Sequence, residues 1–586
     1  MEKSQTRLKR LGQAGALALI LIAITAAFSN VRPISEHYSG RGNLLGNYLA
    51  GRIARGQRDI STAADFYGKA LSADPKNAVI LEQTFLLEVA AANWPRAVDL
   101  AKDLTKVEPK NQLACFVLGV RDFKRGAYAS AEKQFGEADK EPISDLTKLL
   151  AQAWAKLAQN NPSGAYRLLD KSDLPDWTLQ HRRYHKALIA GVANQPKIAG
   201  KTYAQAFQKN PRAGRLAAAY ASHAVHAGNR DLARDVLNTH LDRVPQSVHG
   251  RALLRKIEAG ETPELVITTP TQGIAEVFYG IGDALAGDDG FEIATIYLQI
   301  ALYLNPGSTL AKVSLGDIFQ MGDKHELAVE TYRGVPEDSP FWLESQVKTA
   351  YSLNALERVE EARKLLDRLA EKTPDDSRPL KALGEILSAH KRFEEATPYY
   401  DRAIAMVKKP QKQHASLYYA RGICYERTDQ WPLAEADFKK SLELFPEQPA
   451  VLNYLGYTWI DKGLHLQEAL DLIRKAAKLD PNAGYIVDSL GWAQYRLGNF
   501  AEAVEHLERA TELRPDDAVI NDHLGDAYWR VGRRFEARYQ WSQALTFEPE
   551  PEDEKKIKRK LAEGLEEPRQ IKAQAATPEA NVKKDN

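Results

Sequence analysis

Small apolar residues return along this chain with a beat of 34 positions. Ala63, Ala97, Ala131, Ala165, Ala199 and Ala233 are each 34 residues apart. The beat slips once and resumes at Ala294, Ala328, Ala362 and Ala396, then at Ala434, Ala469, Ala503 and Ala537. Proline follows twelve residues after most of these alanines, as at Pro75, Pro109, Pro211, Pro306, Pro446, Pro481, Pro515 and Pro549. Twelve residues before them stand Gly282, Gly316, Ala350, Gly384, Gly422, Gly491 and Gly525, with Gly456 thirteen before Ala469. Four residues after them come large side chains: Tyr67, Phe135, Tyr203, Tyr332, Tyr400, Phe438 and Trp541. A period of this length with apolar positions at helical spacing predicts a stacked array of helix pairs.

Each part of the beat has a physical cause. Two antiparallel helices cross most closely where both carry small residues, so Gly or Ala on the first helix meets Ala on the second. Glycine inside a helix costs about 1 kcal/mol relative to alanine, so its return at one register implies a packing need. Proline ends the second helix, often after Asp or Asn, as in Asp74-Pro75 and Asp480-Pro481. The large residue fills the core between neighbouring units.

The pattern predicts six units over 44–247 and eight over 275–551, fourteen in all. Residues 248–274 break the beat. There PELVITTPTQG is rich in β-branched residues and proline, which predicts a short extra helix and an extended connector. Residues 552–565 read as a charged helix capping the open end. Residues 566–586 are polar and expected to be disordered.

The N-terminus follows another plan. Lys3, Arg7, Lys9 and Arg10 precede an apolar run from Leu11 to Phe28, the layout of a signal peptide or signal anchor over residues 1–29. A spacer, 30–43, joins it to the first unit. The positive charges stay on the cytoplasmic side, so the body of the protein is expected in the periplasm or cell envelope. Cleavage and membrane anchoring both remain open. Formal net charge is +1, so no global field favours nucleic acid, and none is expected as a partner. The two cysteines, Cys115 and Cys424, fall on separate repeats and read as buried, inert thiols.

In HLGDAYWRVGRRFEARYQWSQALTFEP, Leu524, Gly525, Tyr528, Ala537, Trp541 and Pro549 resemble the tetratricopeptide repeat (TPR) pattern. That resemblance implies an all-α TPR superhelical solenoid of about fourteen helix pairs in two arrays, binding protein partners in its groove. In TPR proteins positions 2, 5, 9, 12 and 13 of a unit face the groove. Carried over, they give Tyr419, Glu426 and Arg427; Asn453, Tyr457 and Asp461; Tyr485, Asp488, Trp492, Tyr495 and Arg496; and Asp522, Asp526, Trp529 and Arg530. Tyr, Trp, Arg, Asn and Asp together are the composition of a peptide-binding surface.

The block from Val451 to Trp541, with its DSLGWAQYRLG run at Asp488–Gly498, resembles envelope TPR proteins of proteobacteria. They include lipoprotein adaptors that present substrates to a carboxyl-terminal processing protease. The resemblance implies such a protease and its substrates as partners. No cysteine follows the apolar run, so lipid anchoring does not carry over. A scaffold for export or assembly of surface polysaccharide or outer-membrane components is the alternative.

Catalytic signatures are not found. His181/His185 and His223/His226 have ligand-like spacing but no partnering glutamate or cysteine, and read as surface histidines. Gly280, Gly282 and Gly287 do not form a dinucleotide fingerprint. The expectation is a non-enzymatic scaffold with no catalytic residues, metal site or cofactor.

Overall fold

The computed structural model describes residues 42–566, apart from 140–141, 171–172 and 288–289. The apolar run Leu11–Phe28 and nearly all of the tail expected at 566–586 lie outside the described residues. Within them the chain is all-α, with 30 α-helices and two short 3-10 turns. They form fourteen consecutive pairs, from Gly42–Gly56 with Ile60–Ala73 to Ala518–Arg530 with Arg534–Thr546. Two helices stand alone, Val248–Glu258 and Pro551–Glu563.

Local chemistry starts and stops these helices. The side chains of Asp59, Asn77, Asn111, Asn229, Ser247, Ser308 and Asp517 each accept a hydrogen bond from a first-turn backbone N–H, satisfying donors that the helix itself leaves orphaned. The turn within a pair places one residue in the left-handed region, Asn194 in one pair and Gly498 in another, where an asparagine or glycine is tolerated.

The recurring glycines turn out to seat the aromatic ring of the partner helix. A Cβ on Gly119, Gly316, Gly384, Gly422 or Gly525 would lie 2.4–2.7 Å from the ring of Phe135, Tyr332, Tyr400, Phe438 or Trp541 respectively. Those five rings are all buried. Backbone approach matters as well, since a Cβ on Gly456 would also come 2.9 Å from the Ala469 carbonyl. Ring burial, worth about 2–3 kcal/mol or more, outweighs the helical cost of each glycine.

The helices group into two compact units, one ending at Ala382 and the other beginning at Leu383. In the first unit Val248–Glu258 is followed by a non-helical stretch to Thr269, then by Pro270–Ala284 and Phe291–Leu304. These last two helices fold back against earlier pairs, so the 248–274 connector lies inside the first unit. One apolar core there runs from Ala54 to Tyr332. In the second unit the core comprises smaller clusters, such as those around Phe438 and around Trp541. No helix among the described residues is long and apolar enough to cross a membrane.

Candidate protein-binding surface

The inner face of a helix-pair stack is made by the first helix of each pair. In the first unit much of that face is already occupied by the chain itself. Pro270–Ala284 packs on Pro142–Ala158 and Leu179–Val192, and Phe291–Leu304 on Ala78–Ala90 and Gln112–Lys124. All four supporting helices are first helices of their pairs. The contact is both apolar and polar. Phe116 meets Phe278 edge-on at 5.9 Å, and Trp94 stacks on Tyr303 at 4.2 Å. Lys124 Nζ donates to the Tyr303 carbonyl at 2.7 Å, and Arg55 Nε to Glu292 at 2.8 Å. At the centre Glu276, 6% exposed, accepts from the Tyr184 hydroxyl at 2.9 Å and from Arg215 Nε at 3.0 Å. A second Arg215 nitrogen pairs with the other carboxylate oxygen. This is a forked ion pair with its lone pairs satisfied, the condition for tolerating a buried carboxylate.

Gly273 lets the inserted helix approach. A Cβ there would sit 2.3 Å from the Trp154 ring, which is wholly buried and donates its Nε1–H to His185 Nδ1 at 3.0 Å. His185 and His223, read from the sequence as surface groups, are 4% and 8% exposed. Each is the core-facing member of its histidine pair. His181 and His226 are exposed. Burial lowers the His185 pKa to about 3. The folded value is depressed, so its contribution is whole above the unfolded value near 6.5 and is lost as pH falls towards 3. Between pH 7 and pH 5 this group should cost the first unit about 2 kcal/mol. Urea midpoints should therefore fall more steeply with acid in the wild type than in His185→Gln, which keeps an acceptor for Trp154.

The second unit is arranged differently. Its inner face comes from Ala415–Arg427, Pro449–Lys462, Gly484–Leu497 and Ala518–Arg530, with Pro551–Glu563 packed on Arg534–Thr546 and bonded to the last of them through Lys560. Lateral bonds tie neighbouring first helices. Arg496 donates to Asp461 at 3.4 Å, His523 Nδ1 lies 2.9 Å from Asp488, and Arg530 Nε donates to the Tyr495 hydroxyl at 3.2 Å. Lys560 Nζ closes the series, donating to Asp522 and Asp526 at 2.8 Å each. Burial pulls the His523 pKa down, but the Asp488 carboxylate with Asp522 and Asp526 together outweigh it and the net shift is upward. Burial raises the Asp526 pKa even against the pull of Lys560.

Aromatic side chains fill the spaces between these bonds. Trp492 is sandwiched, stacking on His523 at 4.0 Å and on Tyr495 at 4.8 Å. Tyr419 packs 6.0 Å from both Phe438 and Tyr454, whose hydroxyl donates to Glu426 at 2.9 Å. Burial and the nearby Asp488 push the Tyr457 hydroxyl up to about 12. Arg427 and Asp461 are exposed, and Tyr485 is 38% exposed. Asn453 is buried, yet its Oδ1 accepts no hydrogen bond. A buried acceptor without a donor is costly and calls for an explanation.

A tetratricopeptide repeat family model matches residues 347–413, 381–449 and 419–484, and a TPR repeat model matches 491–532. The chain carries tetratricopeptide repeats. A TPR repeat-containing protein of Pseudomonas aeruginosa is 31% identical over 193 residues, 33% of this chain and 32% of that protein. The lipoprotein NlpI homolog of Haemophilus influenzae is 31% identical over 94 residues, 16% of this chain and 29% of its own length. These matches thus span about a third or less of the relatives' lengths. Among solved structures, the APC/C hetero-tetramer Cut9-Hcn1 is similar at 14% identity and TM-score 0.38, over 89% of this chain and 96% of that one. YrrB, a TPR protein with an unusual peptide-binding site, is similar at 22% identity and TM-score 0.27, over 33% and 97%.

The TPR positions read from the sequence fall into three groups. Tyr419, Arg427, Asn453, Tyr457, Asp461 and Tyr485 lie on the first helices from Ala415–Arg427 to the start of Gly484–Leu497, with Asp553 of the terminal helix near enough to act on the Tyr457 hydroxyl. Asp488, Trp492, Tyr495 and Arg496 are tied into the lateral bonds. Asp522, Asp526, Trp529 and Arg530 contact the segment 551–566. Arg530 donates to the Glu566 carbonyl at 2.6 Å, and Gly564 lies against the Trp529 ring. Arg534 sits 3.9 Å over that ring. Sequence reasoning missed Lys560 and His523, although Lys560 stands 34 residues after Asp526 and so keeps the beat. Both cysteines are buried, and burial raises the Cys115 thiol to about 11. No cluster of His, Cys, Asp and Glu among the described residues is suited to a metal ion.

Proposed function

We propose that the second unit is the receptor of a protein-binding TPR scaffold in the bacterial envelope, presenting substrates to a carboxyl-terminal processing protease. The observation that carries the binding reading is the inner face around Pro449–Lys462. Half-buried Tyr457 and exposed Asp461 stand one turn apart on that helix, with exposed Tyr485 on the next first helix. An extended segment supplies backbone N–H donors for the Asp461 carboxylate and apolar side chains for the tyrosine rings, which suits that combination. Among the described residues Pro449–Lys462 packs chiefly on the helices of its own and adjacent repeats, whereas the first-unit helices carry Pro270–Ala284 across them. The protease and the envelope location are supported by the sequence likeness of the C-terminal block to envelope lipoproteins and by the charge-then-apolar plan of residues 1–29.

The test is a photo-crosslinking residue at position 485 of the full chain, in cells. A processing protease or its substrate should be trapped. Tyr457→Ala and Asp461→Ala should each cut the yield roughly tenfold, the loss of one hot-spot contact. Adducts whose yield ignores both substitutions would refute the binding face. Adducts that respond to them but contain neither protease nor substrate would refute the adaptor role alone.

A further inference from the structure

The first helix, Gly42–Gly56, buries Gly51 and Ala54 against the helix that follows it. Its opposite side is apolar and open. Leu45, Leu49 and Ile53 follow one another at four-residue spacing and are 63%, 46% and 64% exposed. A helix at the surface of a soluble array turns polar residues outward, so a stripe of three large aliphatic side chains needs an occupant. The charge around it narrows the choice. From His37 to Arg58 the sequence holds Arg41, Arg52, Arg55 and Arg58 and no acidic residue. Arg52, Arg55 and Arg58 line one recess beside the helix, where Glu292 offsets Arg55. Arg52 itself is exposed next to the stripe.

We propose that this face of the first helix rests on an anionic lipid bilayer, with Leu45, Leu49 and Ile53 entering the acyl boundary and Arg52 meeting phosphate headgroups. An amphipathic basic helix lying in the interface has this composition. The inference builds on the reading of Leu11–Phe28 as a membrane-inserted segment. Only residues 29–44 separate that run from Leu45, a reach of at most about 55 Å when extended. Membrane attachment thus keeps the helix near lipid, and the second contact adds to the first through effective concentration. Two other occupants suit the charge less well. The chain's own apolar run is led by Lys3, Arg7, Lys9 and Arg10, which would set cations near cations. A second copy of this helix would do the same, and like charges brought together across an interface oppose it.

The experiment places an environment-sensitive fluorophore on Leu49→Cys of the full chain, with Lys133→Cys as control. The Lys133 side chain is 77% exposed, and both native thiols are buried and react slowly. Labelled protein is reconstituted with vesicles of phosphatidylcholine with or without phosphatidylglycerol, carrying headgroup-proximal doxyl lipids. Flotation reports attachment, and quenching reports contact. On phosphatidylglycerol vesicles the label at 49 should shift to the blue and be quenched roughly threefold more than the label at 133, as a shallowly buried face requires. Arg52→Glu should remove most of that difference while flotation persists. A label that floats but is not quenched overturns the inference and leaves the anchor standing. Blue-shifted emission without quenching would then point to protein cover, and unshifted emission to solvent. A chain that does not float with the vesicles overturns both.

Discussion

Glu276→Ala is expected to destabilise the first unit by about 3–5 kcal/mol, the cost of leaving a buried charge without its partner. Arg215 would lose both bonds of its fork, and the Tyr184 hydroxyl its acceptor. The damage should be local before it is global. Amide exchange in Pro270–Ala284 should accelerate first, because that helix carries the carboxylate into the groove. A double change, Arg215→Met with Glu276→Leu, should recover much of the loss, since replacing both charges with apolar groups removes the desolvation penalty. If Glu276→Ala exchanged at the wild-type rate along 270–284, the ion pair would not be what seats the helix.

Lys560→Ala is expected to cost the last repeat about 2–3 kcal/mol at pH 7, by leaving two carboxylates facing each other across a dry site. Asp522 and Asp526 lose their shared cation, and Asp526 is the deeper of the two. Burial already raises the Asp526 pKa, so losing Lys560 raises it further. A carboxyl whose folded pKa lies above its unfolded value favours the folded state below that unfolded value, and the benefit is lost as pH rises through the folded pKa. The Lys560→Ala deficit should therefore be larger at pH 8 than at pH 5. Fluorescence of Trp529 and Trp541, one beside Gly564 and the other bonded to Asp526, provides the readout. An equal deficit at both values would mean that the carboxylates are not the source.

The helix pairs were legible because their geometry forces specific residues. Gly525 can only be small with the Trp541 ring against it, and Pro549 can only follow the helix that it ends. That logic reports on neighbours within a pair and between adjacent pairs. It does not say what crosses the groove. Gly282 and Ala294 keep the beat like any other pair, yet their helices lie across pairs far earlier in the chain. One signal was present: FEIATIYLQIALYL, at Phe291–Leu304, is apolar on almost every side, as a helix buried all round must be. At the other end, positions carried over from TPR proteins located the face. They could not show that Asp522 and Asp526 already share Lys560, because a position that keeps the beat does not say which side chain it bonds across the helices.

One inner face is filled by its own chain, and the other should be open to a partner. Hydroxyl-radical footprinting of the full chain tests it in a single experiment, because tyrosines report on both. Tyr485 should oxidise roughly ten times faster than Tyr184, Tyr279 and Tyr297, which lie at or beneath the inserted helices, since side-chain access sets reactivity where local opening is rare. Tyr297 and Tyr279 oxidising as fast as Tyr485 would mean that helices 270–304 do not occupy the groove.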